Sequence, residues 1–136
     1  MATYDNLPVF KESYDLLLDL YRFGNNFSRD YRFTLGEQIK KEVLEMMIFI
    51  YGANKSFSGR KEMISRAQEK VEIIRVQLRI LKDLKQLSLE RFVGINEKVE
   101  SVSRQLGFWS NKSQAEPRAG AAFRQGGNGS AQKPVQ

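Results

Sequence analysis

Cysteine and histidine are both missing from this chain of 136 residues, and several branches of protein chemistry go with them. It can build no disulfide, no thiolate nucleophile, no zinc site on Cys or His and no catalytic triad with imidazole as its base. Acidic residues are plentiful, yet no Glu-x-x-His di-metal motif is possible and no Asp-x-Asp-x-Asp-Gly run occurs, so no metal site is expected. None of the glycines at Gly52, Gly59 and Gly126-Gly127 sits between a strand and a helix with a following Lys-Ser or Lys-Thr, which leaves no phosphate loop and no cofactor to expect. Ser56, Ser58 and Ser65, near Lys55 and Lys61, read as loop and capping residues, and the chain reads as a non-enzyme. Long apolar runs are also lacking. The most apolar stretch, Val43 to Tyr51, is short and holds Glu45, and Met1 to Asn6 has no basic lead into an apolar core. A cytoplasmic protein with no membrane contact is the expectation.

What is present is positive charge on a helical pattern. The net charge of +6, with a pI near 9.7, favours an anionic partner: nucleic acid, an acidic surface or an acidic protein. From Arg60 to Lys85, apolar residues recur at Ile64, Ala67, Val71, Ile74, Leu78 and Leu81, marking one buried stripe. Arg75, Arg79 and Lys82 recur at the same interval on another face, and the segment holds eight basic residues against four acidic. Such a face is either solvated and laced with Glu-Lys pairs or a binding stripe, and the second reading rests on the three cations lacking acid partners.

Three further helices are expected. The first begins near Pro8 and places Phe10, Tyr14, Leu17, Leu18 and Tyr21 at helical spacing up to Gly24. The second follows a capping box at Thr34 and Glu37, runs through Leu35, Ile39, Val43, Met46, Met47 and Ile50, and stops near Gly52. Leu44, Ile48, Phe49 and Tyr51 widen its stripe until it is apolar on more than one side, which demands a second neighbour, in the bundle or in another subunit. The last helix follows Ser88 as N-cap and aligns Phe92, Ile95, Val99, Val102, Leu106 and Trp109. Short links between four such helices predict an all-α, antiparallel, up-down-up-down four-helix bundle over residues 1–109. Residues 110–136 are rich in Gly, Ala, Ser and Gln with an excess of +3, and read as a disordered basic tail, either a weak tether for nucleic acid or a solubilising extension. Phe27, Tyr31 and Phe33, beside Arg29 and Arg32 in the first connection, fit either packing under the loop or stacking on unpaired bases.

The order and spacing of Phe33-Thr34-Leu35-Gly36-Glu37-Gln38-Ile39-Lys40-Lys41, then Leu44-Glu45 and Ala53-Asn54, then Leu78 to Leu84 and Leu106-Gly107-Phe108-Trp109, resemble the Avd family. These are the accessory variability proteins of diversity-generating retroelements. A looser likeness links them to four-helix proteins encoded in ribosomal RNA intervening sequences, whose fuller Asn-Ile-Ala-Glu-Gly signature does not follow Asn54. The resemblance implies a ring-shaped homopentamer with a basic surface that binds the retroelement's reverse transcriptase and template RNA in mutagenic cDNA synthesis, without catalysing. By the same resemblance Arg75, Arg79 and Lys82, with Lys40 and Lys41, would be the nucleic-acid-binding positions. A general RNA-binding bundle and a purely structural oligomer are the competing readings.

Overall fold

The structure, a computed structural model, describes the backbone of residues 6–121 and the side chains of residues 6–113. Pro8 opens helix α1 (Pro8–Gly24), where its fixed φ suits the first turn and its missing N–H leaves nothing unbonded. A single turn, α2 (Arg29–Arg32), follows in the first connection, and then come α3 (Leu35–Lys55), α4 (Arg60–Asp83) and α5 (Leu89–Ala121). All described regular structure is helical, with four long helices as expected.

Each boundary has a local cause. The Thr34 hydroxyl donates to the Asp30 carbonyl at 2.8 Å instead of accepting from the start of α3, so the expected capping box does not form. Helix α3 also runs past Gly52 to Lys55, because Arg60 reaches back and donates from Nε to the Ala53 carbonyl at 2.8 Å, satisfying an acceptor the helix end would leave bare. Ser88 is the expected cap of α5: its hydroxyl accepts from the Arg91 amide at 3.2 Å. At the end of α4 the Gln86 amide returns to the Leu81 carbonyl, with Lys85 in the left-handed region at φ 63°. That is the geometry of a Schellman cap with lysine where glycine is usual.

The expected stripes of α3, α4 and α5 supply the core, but that of α1 does not: Val9, Ser13, Leu16 and Leu20 face inward, while Tyr14 and Tyr21 of the expected stripe are exposed. The face one residue over wins because Ser13, whose hydroxyl donates to the Val9 carbonyl at 2.8 Å, is satisfied inside the helix, whereas the tyrosine hydroxyls keep to water. Ile64, Ala67, Val71, Ile74, Leu78 and Leu81 of α4 are all buried, as are Ile95, Val99, Val102 and Leu106 of α5. Fully burying a side chain of this size contributes roughly 1.5–3 kcal/mol. Helix α1 packs on α3 and α5, and α4 packs on the same two, so the long helices occupy four corners with α1 diagonal to α4. Helix α5 does not end at Trp109. It continues through buried Ser113 to Ala121, while the rest of the expected tail lies outside the described residues. No described helix is long and apolar enough to cross a membrane.

Candidate nucleic-acid interface

The stripe Arg75, Arg79, Lys82 shares one side of α4, as its spacing requires, but its members are not equivalent. Arg75 is engaged across the bundle: Nε and Nη2 donate to the two carboxylate oxygens of Glu100 on α5 at 2.8 and 2.9 Å, and Nη2 also meets the Ser103 hydroxyl. Glu72, one turn back on α4, adds a further ion pair. The hydrogen bond from Arg75 holds the Glu100 carboxyl below the ordinary carboxylate range, and the same bond holds the guanidinium more firmly charged. Arg79 has a long contact to Asp83 at 3.5 Å and stays 73% exposed. The expectation that these cations lack acid partners is therefore corrected for Arg75 and Arg79. Glu100 sits 25 residues from Arg75, out of view of any spacing rule. Lys82 lies over the Phe92 ring, 5.1 Å from its centroid, at the α5 side of the stripe.

Lys40 and Lys41 lie elsewhere. Lys40 is mostly covered, bonded to Glu37 at 2.8 Å and 4.3 Å above the Tyr21 ring of α1. Lys41 is exposed, with Glu45 at 3.9 Å. Because α4 turns Arg75 and Lys82 toward α5 whereas α3 turns Lys40 toward α1, the fold does not gather the five cations into one patch. Glu45 is also held by Lys70, whose ammonium bridges Glu42 and Glu45 at 2.9 and 2.7 Å; the hydrogen bond lowers the Glu45 pKa and raises that of Lys70.

What the fold does gather is the end of the bundle where two connections meet. The Ser28 amide donates to Gln86 Oε1 at 2.7 Å, tying the α1–α3 connection to the α4–α5 link. Arg29, Lys85 and Arg91 are exposed there, with Lys82 alongside, and Arg91 stands 4.4 Å from the Phe23 ring centroid. Asp30, Asp83 and Glu90 share this end, so it is a mixed field with basic excess. The aromatic alternatives separate by position. Phe27 is buried against Gly36, where an added Cβ would come within 3.1 Å of its ring and 3.2 Å of the Tyr31 carbonyl. Phe33, by contrast, is 66% exposed with Arg32 at 5.8 Å from its centroid. Phe27 therefore packs and Phe33 is available to stack. Sequence reasoning passed over Lys85 and Arg91; the one signal for Lys85, a lysine where a glycine cap would serve, is visible only with the backbone angle.

The Arg75–Glu100 pair makes a pH prediction. A carboxylate whose folded pKa is depressed contributes stability fully above its unfolded value, about 4.3, and loses it as pH falls through the lower folded value. Glu100→Gln should therefore flatten the acid limb of melting temperature against pH and leave neutral stability within about 1 kcal/mol, since the pair is partly solvated. Parallel acid limbs would show that the pair contributes nothing.

Among the described residues no group of carboxylates is placed to hold a metal ion. The chain has no match among curated proteins. Its sequence does match the bAvd-like family over residues 9–113, from the first turn of α1 to the buried Ser113 of α5. That span takes in the whole packed core and both connections at the basic end, and on it the chain belongs to the bAvd-like family.

Proposed function

We propose that this protein is a non-catalytic accessory factor of a diversity-generating retroelement. As an up-down-up-down bundle assembled into a ring-shaped homopentamer, it brings template RNA to the retroelement's reverse transcriptase during error-prone cDNA synthesis. Family membership supports the role. One observation carries the RNA contact: Lys85 occupies a left-handed backbone position at the shared end of both connections, beside Lys82 and across the Ser28–Gln86 bond from Arg29. Holding a lysine at that angle costs stability that glycine would spare, and such costs concentrate where a side chain is used. Basic side chains there contact phosphates, and Phe33 offers a stacking face to an unpaired base.

Fluorescence anisotropy with a labelled single-stranded RNA tests the contact, and co-elution with the reverse transcriptase tests the role. Binding should weaken linearly in log affinity against log salt. Lys85→Gly should raise stability by about 1 kcal/mol and weaken RNA binding together. RNA binding without polymerase binding would make this a general RNA-binding bundle, and salt-insensitive or absent RNA binding would overturn the reading.

A further inference from the structure

Two exposed apolar stripes remain on the outside of the bundle, and neither serves the basic end. On α4, Glu69, Ile73, Val76 and Ile80 follow one another at spacings of four, three and four; Val76 is 58% exposed. On α3, Leu44, Ile48, Tyr51 and Lys55 repeat the same spacings, with Ile48 58% exposed. The α3 stripe borders α1, since Phe10 joins Leu44, Met47, Ile48 and Tyr51 in lining a shallow groove. Ile73 of the α4 stripe lies one turn beyond Lys70, which is bonded to α3, and the stripe lies away from Arg75, which is bonded to α5. One stripe therefore belongs to the α1–α3 face and the other leans to the α3–α4 face, two adjacent sides of a four-cornered bundle.

We infer that these stripes are the two halves of one subunit contact, in which the α4 stripe of one copy lies antiparallel in the α1–α3 groove of the next. The occupant is a second copy because the two patterns complement each other. Set antiparallel, Glu69 meets Lys55 of the neighbouring copy, Ile73 meets Tyr51, Val76 meets Ile48 and Ile80 meets Leu44. Glu69 is exposed and makes no ion pair among the described residues, and Lys55 sits at the rim of the groove over the Tyr51 ring. The parallel arrangement would place both charged ends against apolar side chains. Two different surfaces on one chain make a head-to-tail contact, which closes into a ring where the rotation between successive copies returns to the first. This contact rests on the homo-oligomer proposed above and names the surfaces that form it.

Native mass spectrometry at micromolar concentration tests it with two variants. Val76→Glu removes the ridge and Ile48→Glu spoils the groove; both positions are exposed, so circular dichroism and melting should match the parent chain. Each variant alone should be monomeric. Mixed, they should form a one-to-one dimer and nothing larger, because only one intact ridge and one intact groove remain between them. Glu69→Lys should weaken the assembly at least tenfold, and adding Lys55→Glu should restore it. A parent oligomer unmoved by either variant would overturn these surfaces while leaving the oligomer itself intact. Variants that pair with themselves would show a symmetric contact instead. Loss of polymerase binding with the oligomer preserved would make the polymerase the occupant, and a monomeric parent chain would overturn both the contact and the assembly it rests on.

Discussion

Val99→Asp should abolish cooperative folding. Val99 is 1% exposed in the middle of the α5 seam, between Ile95 and Val102, and the buried polar residues among those described are Ser13 and Ser113, neither of them a cation. Burying an unpaired polar group costs several kcal/mol, and an ionised carboxylate costs more or must take up a proton. A bundle of this size has only about 5–15 kcal/mol of stability, so one such group removes much or all of it. Phe108→Asp on the same helix is the internal comparison: Phe108 is 70% exposed and its replacement should move stability by no more than about 0.5 kcal/mol. Circular dichroism melts of the two variants check both halves. Similar melting temperatures would mean that Val99 is not part of the core.

The second large effect is on RNA affinity. Replacing Arg79, Lys82 and Lys85 together with glutamate should lower affinity roughly a hundredfold or more and flatten the salt slope by about 2, since each lost single-strand phosphate contact removes about 0.7. All three side chains sit at or beyond the surface of α4's last turns, so the core is untouched. Arg75→Ala is the discriminating partner. Because Arg75 is committed to Glu100, its loss should cost about 1 kcal/mol of stability and leave the salt slope unchanged. The reverse pattern, a flat response to the triple change and a steep one to Arg75→Ala, would put the contact at the middle of α4 and not at its end.

Arg75 also shows where sequence stops being legible. The buried stripes of α4 and α5 could be read directly because a helix's period fixes which residues share a side, and burial follows from their chemistry. The same period placed Arg75 with Arg79 and Lys82 correctly. It carries no information about what α5 brings opposite, and Glu100 is the residue that converts one member of the stripe into an interhelix clasp. The capping box failed for a related reason: Thr34 had a second acceptor, the Asp30 carbonyl, supplied by the turn of α2 that no periodicity announces. Beyond Trp109, composition pointed to a tail, whereas Ser113, a small polar residue, is buried on the continuing α5. Small residues at helix ends give no hydrophobic signal even when they are covered.

The bond from the Ser28 amide to Gln86 has a consequence for how tightly this end can grip. Loops that carry binding groups ordinarily lose conformational freedom when a ligand arrives, and that loss is subtracted from affinity. Here one hydrogen bond latches the two loops together before any RNA is present, so Arg29 and Lys85 move as parts of a single platform. Gln86→Ala would keep every cation and every charge, yet unlatch the loops, and the result should appear as faster dissociation at an unchanged salt slope.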